Sequence, residues 1–259
     1  MSVLHNPLPD PIQGISLPSA AASDRPACRC CGSQRTRSRG KLPDARVFAG
    51  TQLSEPLAGG TLYRCLDCRL AFRHPVFSKE TYDALYRQAS SSTWDEAGRL
   101  DQQLVRETLC ELLEKGRVLD IGCGTGSLLA PLSSRFNTFG IEINPDAAAV
   151  AEQRGVKIMA GDLDALSAVP EEFDAAIACD VIEHVFNPLE LVQRMLAKTA
   201  AGGYVIISTG NSDAWSWYLA GSRFWYCYLP EHISFVSPAW FQRNAASLNV
   251  KVASIREFT

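Results

Sequence analysis

From residue 118 onward the chain alternates short apolar runs with helical stripes. Val118–Ile121, Thr138–Ile141, Val156–Ala160, Ala175–Cys179 and Gly203–Thr209 each read as a buried strand, since each is a short apolar run bounded by polar or turn residues. Helical segments separate them. That order predicts a parallel sheet with helices on both faces, an α/β Rossmann-like doubly wound fold. The best-marked helix has Asn187 as N-cap, Pro188 at its first position and Gly202 just past its end. Its expected apolar stripe is Leu189, Val192, Met195 and Leu196. Leu128 and Leu129 are expected to begin another helix. Upstream, Phe77–Tyr86 reads as a helix capped by Ser78, with Tyr82, Leu85 and Tyr86 on one side. A polar break at Ser90–Thr93 follows. A longer helix then carries Leu100, Leu104, Thr108, Leu109, Leu112 and Leu113 until Gly116 stops it. A helix over Pro238–Leu248 and a sixth strand over Val250–Thr259 complete the expected order.

The first strand runs into Gly122, Gly124 and Gly126, spaced two apart. Glycines at such a turn let the backbone bend sharply and let a ligand come close. The loop has no Gly-Lys-Ser/Thr, so it is not a P-loop. Ser127 stands where a dinucleotide fingerprint has its third glycine, although Glu142 supplies the acidic residue that such a site expects.

Val118 to Gly126, Glu142 within Phe139–Asn144, Gly161-Asp162-Leu163 and Asp180-Val-Ile-Glu-His184 resemble the successive motifs of class I S-adenosylmethionine-dependent methyltransferases. The resemblance covers roughly Arg106 to Ile255 and implies S-adenosylmethionine as cofactor. Ligands of this fold lie outside the carboxyl ends of the strands. Glu142 is then expected to accept from both ribose hydroxyls. Asp162 would accept from the adenine amino group with Leu163 against the ring. Asp120 would orient the loop or meet the methionine ammonium. Gly122, Cys123, Gly124, Gly126, Ile143 and Cys179 complete the expected cofactor-binding set.

Composition changes the picture only at the N-terminus. At 259 residues, 46% hydrophobic and 20% charged, the chain is ordinary globular protein. A net charge of −3 gives no global reason to expect nucleic acid or membrane as a partner. No apolar run has transmembrane length, and Met1–Pro26 lacks the pattern of a secretory signal. Those first 26 residues hold five of the fourteen prolines and are expected to be a disordered tail. Nine cysteines without a signal point to a reducing, cytoplasmic compartment. Cys28-x-x-Cys31 and Cys65-x-x-Cys68 have the spacing of two knuckles that together hold one Zn2+ through four thiolates. The expected organisation is a zinc ribbon over residues 27–76, connecting helices over 77–116 and the cofactor-binding domain over 117–259. Seven cations against two acids between Asp24 and Phe48 give a local charge of +5, leaving −8 elsewhere. That surface suits phosphate groups, or simply balances the zinc–thiolate charge.

Methyl transfer to oxygen or carbon needs a base, and histidine suits that at neutral pH. Of His5, His74, His184 and His232, only the last two lie in suggestive surroundings. Glu231-His232 followed by Phe235 resembles the Glu-His pair of sugar C-methyltransferases that also carry an N-terminal zinc ribbon. The resemblance implies His232 as base, Glu231 as its neighbour or a substrate hydrogen-bonder, and Tyr226 or Tyr228 as polariser. Tyr86 and Trp225 are expected to line the acceptor cleft, and His184 is the alternative base. The implied acceptor is a small molecule, a sugar or a nucleotide-linked sugar. Those relatives have a further C-terminal domain, and the fold's usual seventh strand is not read after the sixth, so a partner or another segment is expected to cover that sheet edge, or the sequence to be part of a longer one. Two other classes stay open. One is an RNA methyltransferase docking through the basic ribbon, which the acidic body and the absence of an Asn/Asp-Pro-Pro-Tyr-type site disfavour. The other is a non-catalytic binder that keeps the cofactor fold.

Overall fold

A computed structural model describes residues 25–90, 98–170 and 172–258. The expected tail lies outside these residues up to 24, as does the polar break from 91. The chain begins with strands β1 (Thr36–Lys41), β2 (Ala45–Phe48), β3 (Thr51–Leu57), β4 (Thr61–Cys65) and β5 (Ala71–His74). Helices α1 (Lys79–Gln88) and α2 (Leu100–Leu112) follow. The alternating part is β6 (Gly116–Ile121), β7 (Phe136–Ile141), α3 (Pro145–Gln153), β8 (Lys157–Ala160), β9 (Phe173–Cys179), α4 (Pro188–Lys198) and β10 (Thr199–Ser208). The chain closes with α5 (Trp215–Ala220), β11 (Ser234–Phe235) and α6 (Pro238–Asn244).

The main sheet has the order β10-β9-β6-β7-β8, all parallel. Its five strands fall on the five expected runs. The order reverses at β6, between β9 and β7, so the carboxyl ends of these strands open a crevice at the switch point.

Three expectations are corrected. Leu128 and Leu129 do not begin an α-helix. They lie in a turn leading into one 3-10 turn, Ala130–Leu132. Pro131 offers no N–H to a helical ladder, and β7 starts soon after, so a tight buried turn replaces the helix. The second correction concerns α2, which buries Gln102, Val105 and Leu109 and leaves Leu100 and Leu112 exposed. Gln102 belongs to that face because its amide bonds Ser127 Oγ at 3.1 Å. Third, no strand forms over 250–258. There Arg256 pairs with Glu111 of α2 at 2.5 Å and Ile255 and Phe258 are exposed, so side chains dock the segment where a ladder was expected. The α4 helix has the expected cap, Asn187 accepting from Leu189 and Glu190 N–H groups, and adds Leu191 to its buried stripe. It ends at Lys198, and Gly202 lies inside β10.

The N-terminal sheet has the order β1-β4-β5-β11, so its last strand comes from far downstream. Two buried or half-buried arginines reinforce that seam. Arg73 on β5 donates to the carbonyls of Gly59 at 2.6 Å, Cys227 at 2.8 Å, Leu229 at 3.0 Å and His232 at 3.1 Å. Arg29 donates to the Ile233 carbonyl. One apolar cluster runs from Cys28, Cys65, Cys68 and Phe72 through Val236 and Trp240 to Leu119 and Ala178 of the main sheet. The two sheets therefore share a core.

Asn144 joins α1 to the crevice. Fully buried, it caps α3 by accepting from Ala147 N–H at 2.9 Å. Its amide nitrogen donates to the Tyr86 and Ala89 carbonyls at 3.0 and 2.9 Å, which satisfies orphan groups at the end of α1. Asn144→Ala removes the cap and strands those buried carbonyls, so it is expected to cost about 2–4 kcal/mol, read as a lower urea midpoint with an unchanged slope.

Candidate active site

The glycine loop is held by β7. Gly122 and Cys123 N–H groups both donate to the Ile141 carbonyl, at 2.8 and 3.1 Å. Gly122 has φ +68° and Gly126 φ +78°, the left-handed region that glycine tolerates. A Cβ on Gly126 would sit 3.2 Å from the Ala151 backbone of α3, so the loop packs directly on that helix. Glu142 closes the loop from the end of β7. One of its oxygens accepts from Gly124 N–H at 2.8 Å and the other from Asn144 N–H at 2.7 Å. Burial pushes its carboxyl up, and these backbone N–H groups oppose the shift. Asp120 is buried behind it and raised well above the carboxylate range, first by burial and then by the charge of Glu142.

Ile143 is half-buried beside Glu142. Asp162 lies beyond β8, where Oδ1 accepts from Ala165 N–H at 2.9 Å, and Leu163 packs against the core cluster. At the end of β9, Cys179 donates to Asp101 Oδ2 at 3.4 Å. Arg99 bridges Asp101 and Asp180, tying the start of α2 to the crevice. Asp180 has φ +53° and its carboxyl is raised, by burial and then by Glu183. The expected cofactor residues thus lie at or just past the carboxyl ends of β6, β7, β8 and β9.

Beside this crevice six side chains converge from three segments: Tyr86 of α1, Glu183 and His184 after β9, and Tyr226, Glu231 and His232 before β11. The Tyr86 hydroxyl lies 2.7 Å from His184 Nδ1, which also contacts the Glu231 carbonyl at 3.1 Å. His232 Nδ1 contacts the Tyr226 carbonyl at 3.0 Å. A carbonyl can only accept, so Nδ1 carries the proton and the neutral ring keeps its lone pair on Nε2. The two imidazoles meet edge to face at 4.8 Å, and His232 lies 4.2 Å from the Tyr226 ring. The Tyr226 hydroxyl donates to Glu183 Oε1, while Gly210 N–H donates to that hydroxyl at 3.3 Å.

Electrostatically this cluster favours neutral forms. Burial lowers His184, and burial together with His184 lowers His232 well below its ordinary value. Burial raises Glu183 and Glu231. Glu183 is 1% exposed, and its Oε2, like Oε2 of Glu231, has no hydrogen-bond partner. Buried acceptors without a partner call for an explanation, and a ligand's donor groups would supply one. One atom each of Glu183, His184 and His232 lies within 4.8 Å of the others, a donor set that also suits a divalent cation.

Comparison with known proteins places this architecture. A family model described as "Methyltransferase domain" matches residues 94–255. The chain belongs to that methyltransferase family. An uncharacterized protein of Methanocaldococcus jannaschii is 32% identical over 108 residues, covering 42% of this chain and 51% of that protein. A ubiquinone biosynthesis O-methyltransferase of Thiobacillus denitrificans is 29% identical over 157 residues, covering 55% of this chain and 68% of that enzyme. The chain thus spans about half to two thirds of the length of these curated relatives. Among solved structures, the plantazolicin methyltransferase BpumL with a desmethyl analogue and SAH has a TM-score of 0.50 at 21% identity, over 61% of this chain and 68% of that one. That likeness concerns the fold.

Outside the matched region of this methyltransferase, Cys28, Cys31, Cys65 and Cys68 meet. The Cys28 and Cys68 sulfurs are 3.5 Å apart and those of Cys31 and Cys65 3.6 Å, all four lying within 4.8 Å. Thiolates around a tetrahedral ion with metal–sulfur bonds of about 2.3 Å sit roughly 3.8 Å apart. The four side chains therefore fit such an ion. Cys30, between the two cysteines of the first pair, is buried in the adjoining core. Trp225 and Tyr228 lie on the surface and do not join the buried cluster. Sequence reasoning gave no role to Glu183, Arg73, Arg99 or Asn144. Glu183 sits within the motif that carries His184, a signal that could have found it. Asn144-Pro145 carries the same local cap signal as Asn187-Pro188, whereas the bonds of Arg73, and those of Arg99 to Asp180 and Asn144 to α1, reach partners distant in the chain.

Proposed function

We propose that this chain transfers the methyl group of S-adenosylmethionine to a hydroxyl or carbon of a small-molecule acceptor, with His232 as general base. The carrying observation is the contact of His232 Nδ1 with the Tyr226 carbonyl at 3.0 Å, which assigns the ring proton to Nδ1 and leaves Nε2 as the basic atom. S-adenosylmethionine would supply a methyl carbon that bonds to the acceptor's oxygen or carbon as its bond to sulfur breaks, and His232 Nε2 would take the proton that the acceptor gives up. Relief of the sulfonium charge makes alignment the main demand on the protein. Glu142, with a further lone pair on each oxygen, accepts from the ribose hydroxyls. Asp162 and Leu163 take the adenine, and Asp120 with the Gly122–Gly126 loop holds the methionine end. Tyr86, Glu183 and Glu231 hold the acceptor's hydroxyls, the unpartnered carboxylate oxygens accepting from them. An acceptor rich in hydroxyls, such as a sugar or nucleotide-linked sugar, suits that number of acceptors, and a relative named as an O-methyltransferase supports oxygen as the methylated atom.

The four cysteines take zinc in this reading. Bound by four thiolates the ion is a −2 centre, and the guanidinium of Arg29, adjacent in sequence to Cys28, lies nearby to offset it. Zinc then supplies folding free energy to the N-terminal sheet.

Incubating the protein with methyl-tritiated S-adenosylmethionine and a cell extract, split into small molecules and RNA, tests the substrate class. Label in the small-molecule fraction is expected, and label confined to RNA would overturn the reading. His232→Ala is expected to lower turnover by about a hundredfold or more while leaving cofactor affinity within a few-fold by calorimetry. Because the base must be neutral and its pKa lies below the ordinary 6.5, kcat/KM should stay level from neutrality down past that value before it falls. An acidic limb at or above it would contradict the assignment. Cys65→Ser is expected to cut the zinc content of purified protein from about one ion per chain to near zero, and unchanged metal would exclude the four-thiolate site.

A further inference from the structure

The short helix α5 and the turns after it present an unusual face. Trp215 is 74% exposed, Leu219 65%, Tyr218 63% and Trp225 62%. With Tyr228 they account for five of the large hydrophobic side chains left at the surface, and all come from residues 215–228. The segment is firmly seated on its other side. Trp217 is buried, stacks on Phe224 with ring centres 4.9 Å apart and meets Phe235 of β11 at 5.2 Å. Its neighbours are thus pushed outward by a helix whose inner face is fixed.

The segment and the strand beside it carry cations, and acidic groups lie only at its margin, at Asp213 and at Glu257, which accepts from Asn211. Between Asp213 and Glu231 the sequence has no acidic residue and one cation, Arg223. Asp213 is paired with Arg64 and Arg69, and Glu231 points inward to Ala49 N–H. The sheet edge alongside is β1, with Arg37, Arg39 and Lys41. Arg39 donates to the Tyr218 carbonyl at 3.3 Å, and its guanidinium lies 5.4 Å from the Tyr218 ring centre, so cationic strand and aromatic helix adjoin. This runs against a chain whose net charge is −3.

We propose that α5, its following turns and the cationic edge of β1 form a surface that docks peripherally on an anionic lipid bilayer. Trp and Tyr rings are amphipathic and favour the headgroup level, Leu enters the acyl boundary, and arginine and lysine meet the lipid phosphates. This is adsorption rather than insertion, since no helix among the described residues is long and apolar enough to cross a membrane. The same segment continues into Tyr226, Glu231 and His232, so docking brings the acceptor cluster to the membrane face. Docking does not depend on which acceptor is methylated.

Co-sedimentation of the full chain with phosphatidylcholine vesicles, with and without about 30% phosphatidylglycerol, tests the surface. At least about tenfold more protein is expected on the anionic vesicles, with most released by about 0.5 M salt. Trp215→Ser/Leu219→Ser is expected to lose about tenfold in binding while keeping its circular dichroism and cofactor affinity, since both side chains are exposed. Charge reversal at Arg37, which is also exposed, gives a second variant that tests the cationic edge. Protein left in the supernatant, or equal binding by the folded Trp215→Ser/Leu219→Ser variant, would overturn the proposal. So would sedimentation velocity showing a dimer that this variant abolishes without vesicle binding, because a second copy would then cover the face.

Discussion

The guanidinium of Arg73 is the interaction on which the acceptor side of the molecule depends. It is buried on β5, and three of its four carbonyl partners belong to the segment that carries Tyr226 and His232. A buried cation is tolerated only when hydrogen bonds replace its water, and each such bond to a charged group contributes about 1.5–3 kcal/mol. The segment cannot leave without stranding that charge. Arg29 and the pairing of β5 with β11 act in the same direction. The N-terminal sheet is therefore one wall of the proposed acceptor site, and Cys28, Cys65 and Cys68 of its four-cysteine cluster lie in the core that both sheets share.

The cofactor side rests on a different constraint, backbone amides brought to one carboxylate. Glu142 gathers Gly124 and Asn144, and Asn144 in turn clasps the end of α1. That chain of bonds sets Tyr86 against His184 at 2.7 Å. Desolvation then decides the protonation states. It lowers the imidazoles and raises the carboxyls; His184 adds to it at His232, and hydrogen-bonding partners oppose it. A site composed of neutral bases and orphaned acceptors is suited to receiving protons and hydroxyl groups.

The sequence foretold the parallel sheet because its strands, β6 and β9 above all, are short and largely apolar and alternate with helical segments. Asn187-Pro188 was legible for a similar reason, as a cap whose chemistry is local. The turn at Leu128–Leu129 was misjudged because apolar pattern outweighed Pro131, two residues further on. Leu100 and Leu112 misled in the same way, since helical spacing fits two stripes and only tertiary packing chose the one with Gln102. His184 and His232 could be picked out by their motifs, but not their 4.8 Å meeting, because it depends on β11 joining a sheet formed early in the chain. Arg73 had no local signal at all.

The most direct measurement is amide hydrogen exchange in the full chain and in Arg73→Met. If the N-terminal sheet holds the acceptor segment, the variant loses protection across residues 226–234 while Gly116–Ile121 of β6 exchanges as before. Unchanged protection at 226–234 would contradict the account, as would an equal loss in both regions, which would make Arg73 a general stabiliser with no particular hold on the acceptor site.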